Sequence, residues 1–311
     1  MLGAVSLLVG VVIVTMIAFV ATRAWPIFQH NGLSWLGGGD LEGEITRMNA
    51  GSAAASASVY TLRAWPLIYG TLLSTGIAVV LGIAIAILAS VFIVELAPAR
   101  VARLVIPVVR LLASVPSVIY GLIGILVLVP FVGDDLVSDQ ERHAVQGVVQ
   151  LTGAGLLVTA AILTVMITPI MIALICEALS AVPPSWREGA VALGLNPLRA
   201  VRAVTLKAIR PAIVAAAVLA TARALGEAVM IQMVSGGKDF APNLSHGVLT
   251  FLFEPLRTLA SGVLDFHEGI GSPPLKAAVY AFALLLLFSA FVLSLAGYLV
   301  KLPLRKYQTR G

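Results

Sequence analysis

Six long apolar stretches constrain this chain more than any other feature of its sequence. They lie at roughly residues 2–21, 67–93, 105–131, 149–176, 207–234 and 275–300. A helix needs about 20 mostly apolar residues to cross the hydrocarbon core of a bilayer. Only 11% of the 311 residues are charged, whereas soluble domains carry about 25%. The sequence therefore predicts an all-α polytopic membrane protein with six transmembrane helices.

The first stretch is interpreted as a transmembrane helix and not as a signal peptide that is cleaved off. It has no basic residues ahead of it, and its apolar run is too long for a signal peptide. Because the chain starts almost inside this span, we expect a short cytoplasmic leader to be missing from its start. The single cysteine, Cys176, excludes a disulfide framework and a cysteine-based metal site, and the four histidines show no ligand spacing. We therefore expect no metal.

The placement of Lys and Arg predicts the orientation, since cytoplasmic loops are enriched in both. The segments after spans two and four, together with the C-terminus, hold twelve basic residues against three acids. The other three segments hold seven basic residues against eleven acids. Both termini are therefore expected in the cytoplasm. The formal net charge of +5 reflects this topology and not nucleic-acid binding.

The three segments that together have an excess of acids are expected outside the cell and are here called the outer segments. Two of them are expected to lie at the surface. The first, roughly 22–66, contains Trp25, Trp35 and Trp65, which are interpreted as anchors at the membrane surface. The third, about 235–274, has mixed charges and glycine and proline pairs. It is interpreted as an irregular loop with a surface helix.

The chain's one long polar stretch, Pro183 to Pro211, shows signals for two short helices. Ser185 and Glu188 have the spacing of a capping box, which predicts a helix from Trp186 to Leu193. Gly194 is a natural left-handed C-cap, and Asn196-Pro197 predicts the start of a second helix. The segment is either a well-capped interfacial hairpin or a rigid basic helix pair presented to a cytoplasmic partner.

Two charges lie inside the fifth span. Arg223 and Glu227 are four residues apart, so on one helix they would share a face and pair. A charge at the centre of a membrane helix costs at least about 2.5–3.5 kcal/mol, which makes such residues functional candidates. The pair either fixes helix packing or contacts a passing oxyanion, because a guanidinium binds phosphate or sulfate in a bidentate manner.

The third span contains a cluster of hydroxyl side chains around a proline. Ser114, Ser117 and Tyr120 could donate to an anion, and Pro116 frees a backbone carbonyl. The alternative is a kinked packing helix with no substrate contact.

The polar stretch also resembles a known family. The order Glu188-Gly189-Ala190, three residues, Gly194, nine residues, Val204-Thr205-Leu206 is similar to the EAA loop of ABC-importer permeases, which runs Glu-Ala-Ala, three residues, Gly, nine residues, Ile-x-Leu-Pro. Lys207 stands where that pattern has proline. The resemblance implies a type I ABC-importer permease fold, with a coupling helix at about 185–195 seated on a nucleotide-binding subunit. Four residues are implied at that contact: Glu188, Gly189, Ala190 and Gly194.

Further strings resemble phosphate permeases over roughly residues 65–300. Arg-Ala-Leu-Gly-Glu at 223–227 is similar to both phosphate and sulfate/molybdate permeases, whereas Pro-Ser-Val-Ile-Tyr-Gly at 116–121 is more similar to the phosphate group. Within that group, the first span and the long outer segment are more similar to the C-type permease subunit than to its A-type partner. This implies three parts: the first helix and long outer segment (1–66), a five-helix core (67–301), and a basic cytoplasmic tail (302–311). The substrate pathway is implied at Arg223, Glu227, Ser114, Ser117 and Tyr120.

The resemblance also implies the partners. They are a second permease in a heterodimer, two ATPase subunits, an external phosphate-binding protein and inorganic phosphate, in a bacterial plasma (inner) membrane. The sequence has no Gly-x-x-x-x-Gly-Lys-[Ser/Thr] loop. We therefore expect this chain to be a transport subunit and not an enzyme, to bind no cofactor itself, and to leave ATP and Mg²⁺ to its partner.

Two other functions stay open. A sulfate or molybdate permease would use the same Arg-Glu pair for another tetrahedral oxyanion. An ATP-independent secondary transporter or channel would more often show inverted repeats and paired broken helices, and none is evident in the sequence.

Overall fold

The computed structural model describes residues 2–50, 57–145, 147–239, 241–267 and 271–308. Their regular structure is helical, with an isolated bridge between Gly236 and Leu256. Arg310, in the predicted basic tail, lies outside the described residues. The helices are α1 (Leu2–Asn31), α2 (Leu41–Ala50), α3 (Trp65–Val91), α4 (Ala99–Ala113), α5 (Ser117–Ile123), α6 (Val129–Phe131), α7 (Asp139–Ala144), α8 (Leu156–Ser180), α9 (Pro184–Ala192), α10 (Pro197–Ala200), α11 (Leu206–Ala208), α12 (Arg210–Leu225), α13 (Val229–Val234), α14 (Val248–Phe253), α15 (Leu259–Phe266) and α16 (Pro273–Gln308).

The described residues include five helical stretches long and apolar enough to cross a membrane. They are Val5–Leu36, Trp65–Leu96, Ser117–Leu136, Leu156–Ser180 and Pro273–Leu299. A sixth span results if the bent pair Pro197–Ala208 and Arg210–Leu225, which meet at 64°, counts as one. The prediction of an all-α polytopic membrane protein is confirmed.

The predicted limits of the third span, 105–131, are wrong. Helix α4 ends at Ala113 and α5 begins at Ser117, so the spanning stretch starts about twelve residues later than predicted. The physical reason is Pro116, which has no N–H to donate and disfavours helical backbone in the residue before it. Helix α4 is a separate amphipathic helix, with Arg100, Arg103 and Arg110 among its polar residues.

The predicted fifth span, 207–234, is also wrong as a continuous helix. Helix α12 ends at Leu225, residues 226–228 are not helical, and α13 begins at Val229. Gly226 lies at the point where α12 ends, and glycine lowers helix stability by about 1 kcal/mol relative to alanine.

The chain divides into two compact units, each assembled from three stretches of sequence. The first comprises residues 1–74, 121–159 and 225–290, and the second comprises residues 75–120, 160–224 and 291–311.

The first unit has an apolar core built largely from the first outer segment and the start of α16. Trp35 is only 3% exposed and its ring lies 6.0 Å from that of Phe282, which is fully buried. The prediction that Trp35 is a surface anchor is therefore wrong, whereas Trp25 is 59% exposed. The core contains these buried residues: Ala24, Ile27, Trp35, Leu41, Ile45, Met48, Leu62, Ala64, Leu67, Leu259, Leu275, Ala277, Ala278, Ala281 and Phe282.

Buried polar side chains hold the outer segments of this unit in place. The Asn31 amide donates to the carbonyls of Ile27 (2.7 Å) and Tyr60 (2.9 Å) and accepts from the Leu62 N–H (2.7 Å). Glu44 is buried and accepts from the Arg63 N–H at 2.7 Å. Burial raises the pKa of the Glu44 carboxyl above its ordinary value. The first outer segment is therefore a packed part of the fold.

The third outer segment is likewise not an irregular surface loop, which corrects the prediction. Leu256 is fully buried, and its N–H donates to the Ser235 carbonyl at 2.9 Å. The N–H of Leu259 donates to Thr71 Oγ1 on α3, also at 2.9 Å. These bonds join residues far apart in sequence, so no local pattern reports them.

The second unit holds the end of α3, helix α4, most of α8 and the polar segment that follows α8. The hydroxyl of Ser90 donates to the Ile172 carbonyl at 3.3 Å. A Cβ at Gly82 would lie 2.6 Å from Met171 Cε and 3.2 Å from Thr168 Oγ1. Glycine thus allows the close approach of α3 to α8 in this unit.

Candidate functional site

The polar segment (Pro183–Pro211) contains two short helices, as predicted, but the first one starts differently. Helix α9 begins at Pro184, with Pro183 as an N-cap that has no side-chain hydrogen bond. The predicted capping box of Ser185 and Glu188 is therefore wrong, because Ser185 already lies in the first turn. Proline suits the first helical position, since its fixed φ is helical and its missing N–H would be unpaired there.

Helix α9 ends just before Gly194, which is the predicted left-handed C-cap. Gly194 has φ +87°, in the left-handed region that glycine adopts without a steric cost. Its N–H donates to the Val191 carbonyl (2.9 Å) and the Leu195 N–H donates to the Ala190 carbonyl (3.2 Å). These two bonds form a Schellman motif. The prediction of a C-cap at Gly194 is confirmed.

The second helix also starts as predicted. The Asn196 side chain accepts from the Leu198 N–H at 3.0 Å, with Pro197 at the first helical position. After α10, the π-helical turn Val201–Thr205 leads into α11. The helix then breaks at Ile209 and bends by 64° into α12. Pro211 follows this break closely, so it supplies a helix breaker four residues after Lys207.

An ion pair fixes α9 to the end of α3. Arg187 Nη1 donates to Glu95 Oε2, and the Glu95 side chain is only 4% exposed. Of the four predicted contact residues, Glu188, Gly189 and Gly194 are exposed, whereas Ala190 is 6% exposed. Ala190 therefore packs inside the second unit, and the other three are on its surface.

Large apolar side chains are exposed on the same segment. Trp186, Val191, Leu193 and Leu198 are 53%, 45%, 87% and 60% exposed. Next to them, a groove of about 620 Å³ is lined by residues of α9 and α10 together with Glu95 and Leu96. Exposed apolar residues beside a groove are typical of an interaction surface.

The predicted pathway residues of the third span gather at the non-helical break Ser114–Pro116. Pro116 cannot donate the bond that the Leu112 carbonyl would receive in a continuous helix. The Tyr120 hydroxyl donates to this carbonyl at 3.0 Å, and the Val115 N–H donates to it at 3.3 Å. Ser114 Oγ donates to the Leu111 carbonyl at 2.7 Å. Tyr120 is 8% exposed, so it is held in place by packing as well.

Arg223 reaches the same place from α12. Its Nη1 donates to the Ala113 carbonyl at 3.4 Å, and the residue is half-buried. The C-terminal carbonyls of a helix carry partial negative charge, which favours a cation there. The structure thus brings together Arg223, Tyr120 and Ser114 at the end of α4, while Ser117 begins α5 three residues further on.

Glu227 is placed differently from the prediction. Because α12 ends at Leu225, Glu227 lies in the non-helical connection before α13. Arg223 and Glu227 therefore do not share a face of one continuous helix, which corrects that prediction, and their pairing stays a prediction.

The third outer segment contains a cluster of charged side chains that sequence patterns did not predict. Arg257 is 9% exposed and pairs with Asp239 and Asp265 at 2.5 Å each, and it also donates to the Gly237 carbonyl. Burial raises the pKa of Asp239, although Arg257 opposes this shift. Nearby in sequence, Glu254 is fully buried, 2.6 Å from His246 Nδ1. These partners belong to separate elements of the third outer segment, so their pairing depends on tertiary folding and not on a local sequence pattern.

The chain matches the sequence profile of the family described as binding-protein-dependent transport system inner membrane component over residues 78–302. It is 38% identical over 181 residues to the probable ABC transporter permease protein YqgH of Bacillus subtilis, covering 57% of this chain and 53% of that protein. The chain thus spans about half the length of this relative.

Two relatives match over more of their length. The phosphate transport system permease protein PstC of Mesorhizobium japonicum is 30% identical over 241 residues, which cover 75% of this chain and 72% of that protein. The probable PstC of Methanocaldococcus jannaschii is 28% identical over 294 residues, covering 93% and 88%.

Among solved structures, similar chains come from ABC transporters. One belongs to a bacterial transporter involved in the import of alginate (TM-score 0.51, 15% identity, covering 92% of this chain and 97% of that one). Another belongs to the MetNI methionine transporter (TM-score 0.50, 22% identity, covering 75% and 92%). At these identities the similarity establishes the fold, which is that of an ABC-importer permease.

Proposed function

This chain belongs to the family of binding-protein-dependent transport system inner membrane components, and we propose that it is a permease subunit of an ATP-driven importer of inorganic phosphate. It forms half of the translocation pathway. One structural observation carries the proposal: Arg223, Tyr120 and Ser114 meet at the break between α4 and α5. Relatives named as phosphate permeases, at 28% and 30% identity, support the choice of anion.

Arg223 is the residue proposed to contact phosphate. Its guanidinium carries five N–H donors in a planar fork that matches a tetrahedral oxyanion. It lies beside helix carbonyls, which weaken its attraction for anions, and a transported ion must leave as readily as it enters. Glu227, Ser114, Ser117 and Tyr120 complete the proposed pathway.

The polar segment is proposed to couple ATP hydrolysis by a partner subunit to transport. Helix α9 presents Glu188 and Gly189, and Gly194 is exposed at its end. Trp186 and Leu193 are apolar and exposed beside them. A separate ATPase subunit would bind this surface and use ATP and Mg²⁺, and the permease itself would bind no cofactor and catalyse no reaction.

The remaining partners and the orientation are part of the same proposal. The complex comprises a second permease, two ATPases and an external phosphate-binding protein. Both termini lie in the cytoplasm of a bacterial cell, as the distribution of basic residues favours. This chain is the C-type permease of the pair, and its three parts remain residues 1–66, 67–301 and 302–311.

Replacing Arg223 tests the proposed pathway. We expect Arg223→Ala to abolish phosphate uptake by the assembled transporter while the ATPase subunits still copurify with the permease. Arg100→Ala, which removes an exposed cation from α4, is the control and should transport phosphate normally. Uptake near the wild-type rate by Arg223→Ala would contradict the role of Arg223.

A further inference from the structure

A second groove, here called the basic groove, lies along α10 and α11 in the second unit. It has a volume of about 700 Å³ and is lined by Arg199, Arg202, Lys207 and Arg210. Among the residues that the structure describes, no carboxylate lies within 4.0 Å of any of these four cationic groups. The basic groove is therefore a concentration of positive charge without a protein counter-ion.

The irregular backbone brings these side chains together. In the π-helical turn Val201–Thr205, the Leu206 N–H donates to the Val201 carbonyl, five residues back. This wider turn lowers the rotation per residue between Arg202 and Lys207, and both side chains line the basic groove. In a regular α-helix they would be about 140° apart. Single π turns occur frequently at functional sites.

Four like charges around a cavity of this size repel one another. Its dimensions are comparable to the Debye length of about 8 Å at physiological salt, so screening is incomplete. A bound anion removes this repulsion, and arginine forms strong, bidentate hydrogen bonds with phosphate groups.

The other wall of the basic groove is apolar. It is formed by Ile87, Leu195, Leu206 and Ile213. The groove lies where the polar segment leads into α12, the apolar half of the bent span. If α12 crosses the bilayer, this position is near the lipid headgroups. A phospholipid offers a phosphate group beside acyl chains, and basic pockets on the cytoplasmic side of membrane proteins bind such headgroups.

We propose that the basic groove binds the phosphate group of an anionic ligand. The apolar wall favours the headgroup of an anionic phospholipid, and inorganic phosphate on the cytoplasmic side is the other source of the same chemistry. This site shares no residue with the proposed pathway around Arg223.

Native mass spectrometry of the purified full-length chain in detergent tests this proposal. We expect phosphatidylglycerol to be retained in preference to phosphatidylcholine with the same acyl chains. The double variant Arg202→Gln/Lys207→Gln should lower this preference by roughly tenfold or more, because each basic residue near a headgroup contributes to binding. Arg202→Lys/Lys207→Arg keeps both charges and should retain the lipid, which separates lost binding from misfolding. The control Arg100→Gln/Arg103→Gln removes two cations outside the groove and should behave as wild type.

A second arm identifies the source of the phosphate group. Sodium phosphate is titrated against sodium chloride at equal ionic strength. Selective retention of phosphatidylglycerol that phosphate does not displace would identify a lipid site, and selective binding of inorganic phosphate would identify a site for the free anion. If neither ligand depends on Arg202 and Lys207, the proposal is wrong. Arg223→Ala should leave this binding unchanged, so the result is independent of the transport assay.

Discussion

At the scale of single residues, the Tyr120 hydroxyl replaces a hydrogen bond that Pro116 removes from the backbone. It donates to the Leu112 carbonyl at 3.0 Å, and Tyr120 is almost fully buried. The Val115 N–H also donates to this carbonyl, at 3.3 Å, and one further hydrogen bond contributes about 0.5–1.5 kcal/mol net. Tyr120 therefore stabilises the break between α4 and α5, where Arg223 also binds.

Removal of this hydroxyl should be measurable as a loss of stability. We expect Tyr120→Phe to lower the free energy of unfolding by about 0.5–1.5 kcal/mol, because the Leu112 carbonyl loses one of its two donors and keeps the Val115 N–H. Unfolding of the detergent-solubilised protein in denaturant measures this change. Tyr69→Phe is the matched control, since the Tyr69 hydroxyl has no hydrogen bond to any residue that the structure describes. Equal stability of Tyr120→Phe and Tyr69→Phe would contradict the assigned role.

Helix caps could be predicted from the sequence where a single local signal determined the backbone conformation. Gly194 and Asn196-Pro197 cap their helices as predicted, because the signal and its effect lie within a few residues. The capping box at Ser185 was not formed, because Pro184 satisfies the first helical position one residue earlier. The bonds of Arg223 and Tyr120 to α4 depend on tertiary packing, so the sequence could identify these residues but not their partners.

At the scale of elements, the polar segment is a pre-organised unit. The Schellman motif closes α9, Asn196 opens α10, and the ion pair of Arg187 with Glu95 holds α9 against the end of α3. A rigid element transmits the movement of a bound partner better than a flexible loop. This property suits the proposed contact with an ATPase.

Two glycines of the polar segment provide a matched test of that rigidity. An added Cβ would meet nothing within 4 Å at Gly189 or at Gly194, but only Gly194 has positive φ. We expect Gly194→Ala to lower the free energy of unfolding by about 1–2 kcal/mol and to weaken the coupling of ATP hydrolysis to transport. Gly189→Ala should be neutral or stabilising, by up to about 1 kcal/mol, because alanine favours the helix.

Denaturant unfolding and the ratio of ATP hydrolysed to phosphate transported measure the two effects. If Gly194→Ala and Gly189→Ala had the same stability and the same ratio of ATP hydrolysed to phosphate transported, the left-handed conformation of Gly194 would not be needed for stability or for coupling.

The sequence predicted that the membrane-spanning helices exist better than it predicted the residues at which they begin and end. Hydropathy located the spanning stretches but joined α4 to the third span, although the spacing of Arg100, Arg103 and Arg110 fits one face of an interfacial helix. That three- and seven-residue spacing was the signal that could have separated α4. The 64° bend near Ile209 lies between the π turn Val201–Thr205 and Pro211, and hydropathy does not report a bend.

At the scale of the whole molecule, the distribution of charge fixes the proposed orientation. Twelve Lys and Arg residues against three acids on one side predict that this side is cytoplasmic. In the proposed orientation the polar segment lies on this side, where an ATPase would have access to it.

Labelling from outside the cell tests this orientation with two equally exposed residues. Leu33 is 88% exposed in the first outer segment, and Leu193 is 87% exposed at the end of α9. We expect a membrane-impermeant maleimide to label Leu33→Cys in intact spheroplasts, and Leu193→Cys only after permeabilisation, in cells that produce this chain without the ATPase proposed to cover Leu193. The unsubstituted chain is the blank, because Cys176 is buried. The reverse pattern would contradict the orientation.

The central claim is that this chain forms part of a pathway for phosphate driven by ATP. The most direct test is uptake of labelled phosphate into liposomes that contain the chain with its second permease and ATPase, in the presence of the external binding protein. We predict uptake that requires ATP, that persists when proton and sodium gradients are abolished, and that excess sulfate or molybdate does not inhibit. Uptake driven by an ion gradient without ATP, or transport of sulfate or molybdate in preference to phosphate, would contradict the account.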